Sequence, residues 1–349
     1  MASPFLFNFT CGNRKGGEEV QYKGKTAYVY PVDSQNRFLE LNKIALSKIG
    51  FEVKPVNKSF YRNECSGKRQ SYVFLNWVED FVYPPDKCSK LQQFFRFIKA
   101  IFLIIFSKLF AQKVIWVRHN LKPHNSLGSA KRYKAIVFLY KMLRIHETSL
   151  EDYYSNPSLN HPLYLSDDEI AKKINERSNE DMKYEVVFFG AVKRYKNLHN
   201  LLRSWPADVN IKIAGHCNDS EYKKEIVEII ESRKLKVDWD DRFLTDTELN
   251  QLLEHSKFVL LPHADGTMIS SGTFYHALSY GCNILVTESK FGLQKSLDHE
   301  FVHLYKPGEF SYSFLNSVFI AKNDVYKKAL ENFGEKRVTG AWTEILEKY

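Results

Sequence analysis

Two hydrophobic rhythms alternate along the chain. Short apolar runs with strand character, Thr26–Tyr30, Phe51–Val56 and Ser71–Leu75, are separated by stretches with helical spacing. In Phe38–Ile49 the apolar positions are Leu39, Leu41, Ile44, Ala45 and Leu46, and Gly50 closes the helix. A long greasy helix follows, then a strand at Lys113–Val117 and a helix at Tyr133–Leu143. This β-α-β-α order predicts a parallel sheet covered on both faces. Residues Ser155 to Tyr184 are richer in Ser, Asn, Asp, Pro and Glu, which predicts a linker with a short connecting helix.

A second α/β unit begins with the strand Glu185–Phe189, ended by Gly190, and continues with Ile211–Ala214, ended by Gly215. Helices are predicted at Glu221–Arg233 and Thr245–His255, the latter opened by Thr245 or Asp246 with Glu248 in its first turn. The strand Phe258–Leu261, the helix Thr273–Ser279 stopped by Gly281, and the strand Asn283–Val286 complete the readable pattern. The expected organisation is a domain over 1–160, a second over 161–335, and a final helix at 336–349 free to return to the first. Ligands of such sheets bind at the carboxyl ends of the strands, so the cleft between the halves is the expected site.

Length agrees, since 349 residues at roughly 150 per domain make two domains. With 44% hydrophobic, 26% charged and 15% aromatic residues, the chain is neither disordered nor fibrous. Lys and Arg number 50 against 41 Asp and Glu, a net charge of +9 that favours an anionic partner: nucleic acid, an acidic membrane face or a phosphorylated small molecule. The five cysteines are scattered and never form a CxxC pair, which argues against a zinc site or disulfide framework and for a reducing cytosol. No basic stretch precedes the short apolar run of the N-terminus, so it does not read as a signal peptide.

Phe94–Phe110 is apolar at 13 of 17 positions but interrupted by Arg96, Lys99 and Lys108. A spanning helix needs about 20 mostly apolar residues, so this one is too short and too charged to cross a bilayer comfortably. Its basic residues do not gather on one face. It reads either as a greasy core helix or as one dipping into the headgroup region with its lysines toward anionic lipid.

Chemistry collects at the predicted strand ends. After Val187-Phe188-Phe189-Gly190 comes a basic turn carrying Lys193, Arg194 and Lys196, placed where a diphosphate can be neutralised. Ser270-Ser271-Gly272-Thr273 opens a helix with small residues that let phosphate approach backbone N–H groups. Taken singly, each stretch also reads as an ordinary charged turn or helix cap.

Together, FFGAVKRYKNLHNLL, IKIAGH, TDTELNQLLEHSKFVLLP and SSGTFYHALSYGCNILV resemble the donor-binding domain of GT-B glycosyltransferases. VIWVRHNLKPHN in the first half is similar to a stretch of bacterial polysaccharide transferases, as is HPLY at His161–Tyr164. The resemblance implies an α/β GT-B fold, two Rossmann-like domains facing each other across a cleft. It also implies a UDP- or GDP-sugar donor in the second domain and a lipid-linked oligosaccharide or glycan acceptor in the first. Lys196 matches the lysine that holds the donor diphosphate. Ala191 replaces the usual arginine, so Lys193 or Arg194 would substitute. Ser271, Gly272 and Thr273 match the phosphate-facing helix start, and the loop at Phe243 and Leu244 matches the place where backbone groups meet the base.

The familiar glutamate pair is missing, because its positions fall at Met268 and His276. The ending without those glutamates is similar to exopolysaccharide β-mannosyltransferase-like enzymes and implies inverting chemistry. Such transfer needs positive charge aimed at the leaving diphosphate and a base for the acceptor hydroxyl. The candidate bases are Glu79, Asp80 and His119, and each also reads as an ordinary helix-start acid or strand-end histidine. Trp77 reads equally as a ring that stacks on a sugar or as a half-buried core tryptophan, and Asp265, with His263, as meeting the sugar hydroxyls or as an ordinary loop acid. No DxD-type pair is evident, so neither metal nor other cofactor is expected. The implied setting is bacterial capsule, O-antigen or exopolysaccharide synthesis, at the inner face of the cytoplasmic membrane. The competing reading is a nucleic-acid-binding or scaffold α/β protein. Its basic residues, however, are dispersed and form no recognition helix, so nucleic acid is not the expected partner.

Overall fold

The computed structural model describes residues 21–32, 36–57, 60, 70–82, 88–119, 129–176, 182–263 and 269–349. Two wholly parallel sheets organise them. The first has five strands, β1 (Thr26–Tyr30), β2 (Glu52–Pro55), β3 (Ser71–Asn76), β4 (Lys113–Arg118) and β5 (His146–Ser149), in the order β2-β1-β3-β4-β5. The second has six, β6 (Tyr184–Phe189), β7 (Ile211–Ala214), β8 (Val237–Asp240), β9 (Ser256–Leu261), β10 (Asn283–Val286) and β11 (Val302–Leu304), in the order β11-β10-β9-β6-β7-β8. Both are doubly wound orders. Chain direction around the sheet reverses between β1 and β3 in the first and between β6 and β9 in the second. Crevices open at such reversals, beyond the strand carboxyl ends.

The central strands are buried along their length, β3 at every position, as parallel strands packed on both faces must be. Over the first sheet, α1 (Arg37–Lys48) covers one side, while α2 (Lys90–Phe110) and α3 (Ala130–Met142) cover the other. Asn36 caps α1 by accepting from the Phe38 amide, and Ser89 caps α2 in a reciprocal box with Gln92. The connecting helix is α4 (Asp167–Glu176). Over the second sheet lie α5 (Leu198–Ser204), α6 (Ser220–Ser232), α7 (Asp246–Glu254), α8 (Gly272–Leu278), α9 (Lys290–Asp298), α10 (Tyr312–Val318) and α11 (Lys322–Phe333).

The last helix, α12 (Glu335–Lys348), leaves the second half and packs on α1. Val338, Trp342, Ile345 and Leu346 belong to the core built on β1, β3 and β4, and Trp342 Nε1 donates to Asn42 Oδ1 (2.9 Å).

Candidate functional site

The reversal point of the second sheet is made by Gly190 at the end of β6. Gly190 has φ +90°, a left-handed conformation that glycine alone adopts without strain. It also packs on Gly215, where an added Cβ would lie 2.2 Å from the Gly190 carbonyl oxygen, so the two strand ends touch backbone to backbone. Lys196 comes back to this point. A Cβ on Gly190 would be 3.0 Å from Lys196 Nζ, and that nitrogen lies 5.2 Å from the Phe188 ring centroid. Lys196 is only 8% exposed and makes no ion pair among the described residues. Burial first, and then Lys193, hold its ammonium down at about 8. A desolvated cation with no counter-charge is costly unless something anionic joins it.

The rest of the basic turn divides. Lys193 is exposed beside Lys196. Arg194 is not free to share the diphosphate, because its guanidinium is bound to Asp219 (3.4 Å) and Glu225 (2.8 Å) and lies over Tyr222. Phe243, 66% exposed, follows β8 beside His216, while Leu244 packs against the second core. Asp265 and Met268 lie outside the described residues, as does His124.

At the start of α8, Ser270 and Gly272 meet side chains from outside the helix. Ser270 Oγ donates to Glu151 Oε1 (2.6 Å). Gly272 leaves room for Tyr164, whose hydroxyl would lie 2.9 Å from an added Cβ, with His161 Nε2 at 3.7 Å. Ser271 is buried at the helix start and its side chain makes no capping bond, and Thr273 is half-buried.

Facing this from the first half is the end of β3, at the other reversal point. Asn76 Nδ2 donates to the Tyr30 carbonyl oxygen (2.9 Å), and Asn76 Oδ1 lies 3.0 Å from His119 Nε2. A carbonyl can only accept, so the amide nitrogen must face Tyr30 and the amide oxygen must face the imidazole. His119 therefore carries its proton on Nε2, which leaves Nδ1 as the basic nitrogen. Burial first, then His161, keeps the imidazole well below the usual histidine range, so it is neutral. Trp77 stacks on it (centroids 4.0 Å apart, 23° between planes), and Phe38 meets its edge at 4.8 Å. Trp77 has φ +51°, a strained conformation for a bulky residue, costing about 1–3 kcal/mol, of the kind that gathers at functional sites.

The carboxylates named beside His119 are placed differently. Glu79 points into the core, where Oε2 accepts from Trp116 Nε1 (3.1 Å) and Oε1 has no hydrogen-bond partner among the described residues. Burial pushes its carboxyl up to about 7. It is sealed under the sheet and cannot serve a hydroxyl arriving in the cleft. Asp80 is exposed in the same 3-10 turn, and Arg96 reaches its carbonyl oxygen.

Stacked rings join the two halves. Phe38 lies between His119 and His161 (5.0 Å to the latter), His161 stacks on Tyr275 of α8 (4.5 Å, 7°), and Tyr164 stacks on His276 (4.3 Å, 2°). His276, standing where a glutamate was missing, is held at about 4 by burial and is a neutral stacking partner. Beside the stack is a clasp that sequence reasoning did not find. Glu151, just after β5, accepts from Ser270 and Tyr275 and pairs with Lys295 of α9 at 2.7 Å, both side chains buried. Lone acids in loops carry no pattern, so only the fold could reveal it.

Removing one partner of a buried pair strands the other charge at a cost of about 3–5 kcal/mol. Glu151→Ala is therefore expected to lower the melting temperature by on the order of 10 °C in a calorimetric scan. Glu151→Met combined with Lys295→Met should recover most of that loss, because no charge is then left unpaired.

No protein-family model and no curated protein matches the chain. Solved structures do. Anabaena HepE in complex with UDP-glucose superposes with a TM-score of 0.57 at 13% identity, over 93% of this chain and 100% of that one. AviGT4, a glycosyltransferase involved in avilamycin A biosynthesis, gives 0.54 at 12% identity, over 93% and 97%. A glycosyltransferase from Rickettsia africae gives 0.50 at 12%, over 93% and 98%. The fold is GT-B, with two Rossmann-like domains.

Proposed function

We propose that this chain is a glycosyltransferase that moves a sugar from a UDP- or GDP-sugar to a lipid-linked glycan in bacterial surface polysaccharide synthesis, peripherally attached to the inner face of the cytoplasmic membrane. The observation that carries it is Lys196, a buried ammonium at the reversal point of the second sheet with no counter-charge among the described residues. A donor diphosphate supplies the missing anion. The complex of the HepE neighbour with UDP-glucose supports a donor of that class.

In the step we envisage, the acceptor hydroxyl oxygen attacks the anomeric carbon as His119 Nδ1 takes its proton. The bond from that carbon to the phosphate oxygen breaks, its electron pair stays with the oxygen, and nucleoside diphosphate leaves. Charge growing on that oxygen falls to Lys196, with Lys193 beside it, so lysines carry out the neutralisation in this scheme without a metal. Attack opposite the leaving group inverts the anomeric centre, and a neutral His119 across the cleft suits a base on that side. This assignment is close to the β-mannosyltransferase-like reading.

The test is ligand-dependent melting across UDP, GDP and their sugars. A ligand at about one hundred times its dissociation constant should add about 2.7 kcal/mol of stability and raise the melting temperature by several degrees. Duplex DNA should not. If no nucleotide shifts the transition, or if DNA does so instead, the proposal fails.

A further inference from the structure

From Lys87 to His146 the sequence runs for 60 residues with 13 Lys and Arg and not one Asp or Glu, in a chain that holds 41 acids in 349. The two helices of that stretch, α2 and α3, lie side by side in one layer. Ala100, Leu103 and Ile104 of α2 share a core with Ile136 and Tyr140 of α3 against the first sheet. Their opposite sides therefore look outward together. There, Leu91 (65% exposed), Phe95 (60%), Phe102 (55%) and Leu109 (50%) of α2 adjoin Phe138 (66%) and Met142 (58%) of α3. At about 100° per residue the four on α2 fall within about 40° of arc, roughly opposite Ala100 and Ser107. Thus α2 is apolar on two faces, one buried and one bare. Single exposed apolar residues are ordinary, but an aligned row of large apolar side chains shared by two helices marks an interaction surface.

We propose that the outward face of α2 and α3 docks on an anionic bilayer, its rings entering the boundary between headgroups and acyl chains and its lysines meeting lipid phosphates. Lys99 and Lys108 flank the row on α2, and Lys134 and Lys141 lie along one side of Phe138 on α3. This combination of a bare apolar row and acid-free cationic borders fits a charged lipid surface. A second copy would set one cationic face against another, and nucleic acid has no use for the phenylalanines. Among the described residues no helix is long and apolar enough to cross a membrane, so this face would lie on the bilayer. Arg96 near the start of α2 donates to the Phe81 carbonyl oxygen, in the turn that directly follows Trp77. The docked surface therefore borders the acceptor side of the cleft. The inference builds on the lipid-linked acceptor of the proposed function, but vesicle binding is read without a donor. Its failure would leave nucleotide binding untouched, and the reverse also holds.

The experiment is flotation of the full chain with phosphatidylcholine vesicles, with and without about one-third phosphatidylglycerol, at low and high salt. Binding is expected to be at least about tenfold stronger to the anionic vesicles and to weaken with salt. Phe102→Ser with Phe138→Ser should reduce it at least about tenfold while leaving circular dichroism and nucleotide-induced melting shifts unchanged. Absence of binding by the parent chain, binding indifferent to lipid charge, or binding unaffected by the two substitutions would overturn the proposal. So would light scattering that shows a parent dimer converted to monomer by the same substitutions.

Discussion

Lys196→Met is expected to abolish donor binding and at the same time stabilise the empty protein. In the folded state the ammonium is held at about 8, against 10.5 for an ordinary lysine, chiefly by burial. That difference corresponds to about 3 kcal/mol charged against folding whenever both states are protonated. Below pH 8 the folded and unfolded chains both carry the proton, and the penalty is complete. Between about 8 and 10.5 the folded chain has shed it and the unfolded chain has not, so the penalty shrinks as pH rises. Methionine keeps the stem against Phe188 without the charge. The substituted protein should therefore melt several degrees higher near pH 7, with the gap closing in alkaline buffer. Donor affinity should fall at least about a hundredfold, because the diphosphate loses its buried charged partner. Calorimetric titration with UDP-sugars and melting curves across pH measure both halves. Parent-like affinity in the substituted protein would remove Lys196 from the donor site. A melting gap indifferent to pH would show that its charge is not the source of the cost.

His119→Ala should lower kcat by about 10²–10⁴ while leaving donor affinity nearly unchanged, as expected for a base that acts on the acceptor. The pH dependence separates that role from packing. His119 works only when neutral, and its burial holds it well below the usual histidine range. Activity should thus persist through weakly acid buffer and disappear only as pH falls through that depressed value. Asn76→Asp would place a carboxylate against the Nε2 proton and favour the imidazolium. The acid limb of kcat/KM should then move upward by roughly 1–3 units. A purely structural His119 would give a loss of stability and no displaced limb. Profiles of kcat/KM for parent and Asn76→Asp protein decide between the two.

The central strands and their helices were legible from the sequence because their apolar runs are continuous, and β6 and β7 end directly at glycines. Strands β5 and β8 were not. His146–Ser149 and Val237–Asp240 are polar sheet edges whose outer side needs no apolar residues, so they leave no hydrophobic run to read. The same cause hid the outward row of α2, since a helix apolar on opposite faces shows no single stripe in its sequence. Among the candidate site residues, His119 directly follows β4 and Lys196 lies in the turn after β6. The partners of Gly272 and Ser270, Tyr164 and Glu151, are not visible in the sequence because they lie more than a hundred positions away. The partners of Arg194 are equally hidden, since Glu225 sits on α6 and Asp219 just before it. Residue type and spacing locate a strand end, whereas the direction a side chain takes from it depends on neighbours that only tertiary packing supplies.

The contact between Asn42 and Trp342 spans 300 positions, and it completes a core whose other members are made first on the ribosome. Until Val338, Trp342 and Ile345 have emerged, the nascent amino-terminal lobe has an uncovered apolar flank. It cannot finish folding as an independent unit in the order of translation. The core of the first lobe is therefore completed only once the carboxyl-terminal lobe has been synthesised.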